Sequence, residues 1–457
     1  NTSSGYATLY DNTTGHSNTA MGDLALRNNE VGDYNTAIGI CSIFAAASAC
    51  CNTAIGAFSL QNTTTGDKNA VVGARTMLTN TTGEKNTAIG DTAMYYNTSG
   101  TGNTASGYRS LIANTTGGCN TASGYRSLHA NTTAAQNAAF GACAMNLTTT
   151  GDKDAAVGYS ALVQNTTGSC NVAMGDHAMN KNTTGHSNIA IGRQAMGCNT
   201  TASYNTVVGA CAFYCNTTGG DAVVAVGFKA MHNNTTGKCN TAVGFCAMHG
   251  ITEGVYNTAS GYRALKDNTT GDSNTAHGSF AMCLNTTASG NTAVGRSSLQ
   301  ANTTGAAHTA IGHFALQANT TGGSNTAIGS CAGCGNTTGI HNVFMGHNAG
   351  KVNTTGNRNV AVGDHALHLS TTSSYNTAVG RLALYANTTG AYNVAVGTNS
   401  LDANTTGLAN TTSGYASMSN STSGHYNVAS GYLSALANTT GCQNVAIGSQ
   451  ALRGNTT

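Results

Sequence analysis

The chain repeats itself every seventeen residues. Asn86 to Gly102 reads NTAIGDTAMYYNTSGTG, and the seventeen residues from Asn103, NTASGYRSLIANTTGGC, write the same pattern again. At this period the chain falls into register from Asn1 to Thr457 as twenty-six complete units and a twenty-seventh that ends at its fourteenth residue, with one extra residue near Asp221 and Ala222. A fixed period of this length marks an array of units, each of which buries its apolar face only when its neighbours stack on it. It overrides the two or three globular domains that 457 residues would otherwise suggest. The expectation is a single continuous repeat solenoid over residues 1–457.

The consensus unit is N-T-A-I-G-x-x-A-L-x-x-N-T-T-G-x-x, and "position" below means place in that unit. Position 5 is Gly in all twenty-seven units, including Gly5, Gly90, Gly227 and Gly448. This predicts a corner of positive φ or close backbone approach. Position 4 is mostly Ile, Val or Met and position 9 mostly Leu or Met, and these two columns read as the core. Position 2 exchanges Thr87 for Val172, as a half-buried strand position does. Apolar residues never sustain a 3.6-residue period long enough for a helix. Two short strands, near positions 1 to 4 and 7 to 10 and joined by glycine-bearing turns, are therefore predicted. The absence of proline suits strands held in ladders on both sides.

Compensations inside the repeat support strands. Wherever position 4 is Ser, position 6 is Tyr, as in Ser4 with Tyr6, Ser106 with Tyr108, Ser123 with Tyr125, Ser260 with Tyr262, Ser413 with Tyr415 and Ser430 with Tyr432. Residues two apart share a strand face, so the ring is expected to cover the space the aliphatic side chain has vacated. Position 9 is empty at Gly333 and Gly350 in consecutive units, and Phe344, replacing the usual Ala between them, is expected to fill that void. The Ala and Ser columns at positions 3 and 8 fit two readings, inner walls that meet closely or a seam between chains.

Charged residues make up only 7% of the chain and nearly balance, which leaves no basic stripe for nucleic acid and no acidic tail. No signal peptide, membrane span or lipidation signal is read, and the chain, which does not begin with Met, reads as a piece of something longer. The N-glycosylation pattern recurs at position 12, at Asn12, Asn80, Asn97, Asn114, Asn165, Asn268, Asn302 and Asn438. The same residues suit turns and an in-register Asn ladder, which is the favoured reading of the two. The fifteen cysteines include a single CxxC pair, Cys331 and Cys334 within one unit, with no second pair to complete a zinc set, and neither a zinc nor a redox site is read from them. Cys198 and Cys215 share position 11 in consecutive units, about 5 Å apart in a stack, within reach of a disulfide. His232 and His249 share position 10 without a carboxylate and read as exposed stacking. Asp67 and Glu84 share position 16, but Lys68 and Lys85 follow them, so surface charge alternation explains the pair better than glycoside cleavage.

NTAIGxxA followed by a Gly-closed turn resembles the head repeats of trimeric autotransporter adhesins, and the longer NTAIGxxALxxNTTG form resembles repeats of bacterial and phage-type tail fibres. The resemblance covers the whole chain. It implies left-handed parallel β-rolls, three chains packed side by side, and a surface rod that binds host or matrix ligands without catalytic residues. The chain differs from the adhesin repeat by three extra residues per coil, the NTT insert, and no coiled-coil stalk or membrane anchor is read in it.

The expected fold is all-β, a parallel β-solenoid of about 27 coils with seventeen residues per coil. The expected function is a structural fibre, adhesin-like, extracellular or on a cell or virion surface, with no catalysis, cofactor, metal or membrane span. Its expected partners are copies of itself, as a trimer or end-to-end filament, and surface glycans or host matrix; nucleic acid is not among them. A Thr-rich ice- or surface-binding solenoid and a glycan-binding or glycan-cleaving tailspike are the alternatives. Adjacent Thr side chains at positions 13 and 14 diverge in extended chain, which weakens the first, and the second lacks a clustered carboxylate site.

Overall fold

The computed structural model describes residues 1–457. Twenty-seven strands of three residues each, from β1 (Thr2–Ser4) to β27 (Val445–Ile447), occupy positions 2 to 4 of every unit, and there is no helix. The chain divides into two compact units, Asn1–Val226 and Gly227–Thr457. In the first, β1 pairs with β2 (Thr19–Met21) and so on to β13 (Thr206–Val208) and β14 (Val224–Val226). In the second, pairing runs from β15 (Thr241–Val243) and β16 (Thr258–Ser260) to β27. Every pair is parallel and in register at one repeat, as in Thr87↔Thr104, Ala88↔Ala105 and Ile89↔Ser106. Each unit is thus a β-solenoid with one repeat per coil.

The wall facing the strand is built differently from the predicted second strand. Positions 7 to 10 are turn, with φ near +50° at positions 7 and 9, as at Leu24 (61°), Leu26 (50°) and Met94 (51°). Left-handed backbone costs an L-residue roughly 1–2 kcal/mol. Hydrogen bonds from coil to coil offset the cost, because alternate N–H groups point to opposite neighbours. Leu24 N donates to Tyr6 O of the preceding coil at 2.8 Å, and Leu26 N donates to Ser42 O of the following coil at 3.0 Å. The wall is therefore laddered like a sheet without strand dihedrals.

Burial also corrects the assignment of the core. Strand side chains alternate in direction, and here Ala at position 3 points inward while positions 2 and 4 point out. Ala88 and Ala105 are fully buried within the chain, whereas Ile89 is 49% exposed. The interior is filled by Leu or Met at position 9, Ala at positions 3 and 8, and Asn at positions 1 and 12. The small-residue columns are inner walls that meet, and the larger aliphatic at position 4 has no room inside. The Ser and Tyr covariation accordingly lies on the outer surface, where Tyr108 and Tyr125 are 40% and 51% exposed, and fills no internal void.

The glycine at position 5 behaves as expected. Gly90 has φ +132°, and a Cβ there would lie 2.6 Å from the carbonyl oxygen of Gly107 in the next coil. The Phe344 compensation is likewise visible: this buried ring occupies the space of both missing side chains, with Cδ1 overlapping a Cβ built on Gly350 and Cδ2 2.5 Å from one built on Gly333.

The extra residue is taken up inside the first unit. β13 and β14 keep their pairing with an offset of eighteen, Thr206↔Val224. Asp221 and Ala222, where the sequence places the insertion, hold ordinary places. Asp221 Oδ1 accepts from Ser203 N at 2.9 Å, as Asp67 does from Cys50 N, and Ala222 has the φ of 56° usual at position 17. The added residue instead widens the preceding turn, where Gly220 N donates to Asn216 Oδ1 four residues back.

Candidate interaction face

Two asparagine ladders fix the coil and so determine which side chains face out. At position 1, Asn86 Oδ1 accepts from Asn103 N at 2.9 Å, and Asn103 Nδ2 donates to Gly117 O at 2.9 Å, tying the start of its coil to position 15 of the same coil. At position 12, Asn97 Nδ2 donates to Asn80 Oδ1 at 2.8 Å and to Gly100 O at 3.1 Å. Buried amides are tolerated because every one of these donates its Nδ2 and most also accept through Oδ1 from the next coil, the oxygens of Asn131, Asn353 and Asn438 being among those left without a partner. Of the acceptor-pattern residues, Asn80, Asn97, Asn114, Asn165, Asn268, Asn302 and Asn438 are fully buried and Asn12 is partly so, each donating Nδ2 to the position-15 carbonyl. The nitrogen that would carry a glycan therefore points into the coil.

The other sequence candidates are placed as follows. Cys198 and Cys215 are both free thiols, half-buried, with no disulfide between them, and burial and the neighbouring Cys198 raise the pKa of Cys215. His232 and His249 stack, with ring centroids 5.2 Å apart and planes at 9°. Glu84 pairs with Lys85 at 3.8 Å, and Asp67 accepts a backbone hydrogen bond at 2.6 Å. The Thr column at position 13 spends its hydroxyl protons on the backbone of the next coil: Thr81 Oγ1 donates to Thr98 O and Thr98 Oγ1 to Thr115 O, both at 3.0 Å. Those donors are not offered to ice.

Two residues escape a reading of the consensus, although both are legible as departures from Asn at position 1. Asp154 is buried, accepting from Asn165 Nδ2 at 2.9 Å and Asn171 N at 2.7 Å, and burial pushes its carboxyl up to about 7. His308 is buried, with Nδ1 accepting from Asn325 N at 3.2 Å, so Nε2 carries the proton donated to Gly322 O at 2.6 Å. Burial lowers the pKa of this imidazole.

What remains outward is the strand face. Within the first unit Met21, Ile38, Ile55, Val72 and Ile89 follow one another at position 4, each partly exposed and paired in register with the next. In the second unit Val294, Ile311, Ile328, Met345, Val362, Val379 and Val396 form a similar column. Thr and Val of position 2 stand beside them. Position 6 adds rows of aromatic rings, with Phe228 and Phe245 stacked at 5.3 Å and Phe245 and Tyr262 at 5.4 Å. Lys229 and Arg263 lie over Phe228 and Tyr262 at 5.4 and 5.2 Å.

No protein-family model matches the chain, and no curated protein is significantly similar to it in sequence.

Proposed function

We propose that the chain is a structural, non-catalytic, adhesin-like fibre element displayed outside the cell or on a virion, and that it assembles with further copies of itself through the outward strand face. The observation that carries this reading is the run of exposed aliphatic side chains at position 4. A contiguous apolar strip of this kind marks an interaction surface. A second copy is the occupant that matches it, because two chains of the same repeat present side chains at the same spacing, level after level, and the face holds few charges to repel. The variable residues at positions 6, 7, 10, 11, 16 and 17 supply the contact chemistry on a uniform frame. The aromatic rows at position 6 favour surface glycans as ligands, since ring faces stack against the apolar faces of sugars.

Sedimentation velocity tests the assembly. The wild-type chain is expected to run as an oligomer at micromolar concentration, and the triple variant Ile38→Lys, Ile55→Lys, Ile89→Lys as a monomer with an unchanged circular dichroism spectrum. A wild-type chain that stays monomeric when concentrated, or a variant that assembles as before, contradicts the reading.

A further inference from the structure

We propose that His347, Asp364 and His365 form a binding site for zinc or a similar late first-row divalent cation. The stack brings them together: His347 and Asp364 hold position 6 in consecutive coils, and His365 follows at position 7 with φ 55°. Both imidazoles converge on one carboxylate oxygen, His347 Nδ1 at 3.1 Å and His365 Nδ1 at 2.9 Å from Asp364 Oδ1. One ligand atom from each of the three residues lies within 4.8 Å of the others. His16 with Asp33, and His177 with Asp176, are single imidazole–carboxylate contacts. The paired arrangement at 347, 364 and 365 is of a different kind.

Tetrahedral zinc holds nitrogen and oxygen at about 2.0–2.2 Å, which puts its ligand atoms roughly 3.3–3.5 Å apart. Both imidazole–carboxylate distances would therefore open by a few tenths of an ångström, while the two imidazoles draw together. A set of two nitrogens and one oxygen suits zinc, copper, nickel or cobalt, and not calcium or magnesium, which ask for oxygen. Water completes the shell, since His347 and Asp364 are exposed.

The surroundings already hold the three side chains. Arg381 Nε lies 3.8 Å from Asp364 Oδ2, leaving Oδ1 for the cation. His368 packs against His365 with ring centroids 4.8 Å apart and planes tilted by 31°, and Tyr385 stacks on His368 at 5.2 Å. Asn348 Nδ2 approaches Nε2 of His347 at 3.2 Å and of His365 at 3.1 Å. On loading through Nδ1 the imidazole protons move to Nε2, and the Asn348 amide, turned over, accepts one through Oδ1. Such outer partners orient the ligands. Because the ligands come from two consecutive coils, the cation staples one to the next.

Calorimetric titration of the full chain with zinc chloride, backed by the visible spectrum of the cobalt-loaded protein, tests the site. One tight zinc per chain is expected. His347→Asn and His365→Asn should each weaken it by more than the roughly 10–100-fold that loss of an outer partner costs in known sites. Asp364→Asn should do the same, and His232→Asn should leave affinity unchanged. Position 6 carries Tyr, Phe, Arg, Asp or Ser in other units and position 7 carries Asn at Asn348 and Asn399, so these variants keep the fold, which circular dichroism checks. Absence of stoichiometric binding, binding that survives all three substitutions, or equal binding of calcium overturns the proposal.

Discussion

Replacing Phe344 with alanine is expected to destabilise the protein by about 3–5 kcal/mol, the range for truncating a buried aromatic ring, and restoring leucine at Gly333 and Gly350 to recover most of that loss. Phe344 is fully buried in the strand Val343–Met345, between Ala327 and Ala361 in the neighbouring coils, and it fills the volume of two absent position-9 side chains. Leucine fits the backbone at both glycines. Gly333 and Gly350 have φ of 56° and 59°, close to the 49° of Leu316 and the 52° of Leu367 in the adjoining coils. Gly350→Leu alone should destabilise, since its Cβ would overlap the Phe344 ring. Chemical denaturation of the single variants, Phe344→Ala with both leucines, and wild type gives a cycle with strong coupling. Additive losses would show that the ring and the glycines are independent.

The second large effect is a dependence of stability on pH set by Asp154. Every neighbouring position-1 residue donates an amide hydrogen to a position-15 carbonyl, as Asn137 Nδ2 does to Gly151 O at 2.9 Å. A carboxylate has no such hydrogen, and only its neutral form supplies one. In the unfolded chain the group loses its proton near 3.8 and in the folded chain at about 7. Between these values the folded state holds more protons, so stability falls as pH rises through this window and is flat above it. A window about three pH units wide corresponds to at most roughly 4 kcal/mol. Asp154→Asn should therefore raise the unfolding temperature at pH 8 and leave it nearly unchanged at pH 4. His308 acts in the opposite sense: burial lowers its pKa, so its contribution is present above the unfolded value of 6.5 and is lost as pH falls below it. Asp154→Asn should leave that acid-side loss in place. Equal melting temperatures for wild type and Asp154→Asn at pH 8 would show that folding does not raise the pKa of this carboxyl.

These residues also show what a sequence of this kind reveals. The period, the strand at positions 2 to 4, the glycine corner at position 5 and the Phe344 compensation were legible, because each is fixed by spacing or by a covarying volume. The direction of the strand was not. Hydrophobicity ranks Ile89 above Ala88 as a core residue, yet a coil this thin has room inside for one large column, and Leu or Met of position 9 takes it. Nor does any residue preference announce the turn at positions 7 to 10, where Leu and Met adopt backbone angles that ordinarily favour glycine and are held there by bonds to the neighbouring coils. The 347–365 cluster emerges only when consecutive units are aligned and read across, since His347 and Asp364 are seventeen residues apart in the chain.

The outward strand face as the surface joining one copy to the next is tested most directly by site-specific photo-crosslinking. A photoreactive phenylalanine analogue is placed in the full chain at Ile89, on that face, or at Tyr96, which is comparably exposed on the turn segment. Chain-to-chain adducts are expected from position 89 and not from position 96; no adduct from 89, or equal yields from both sites, would contradict assembly through this face.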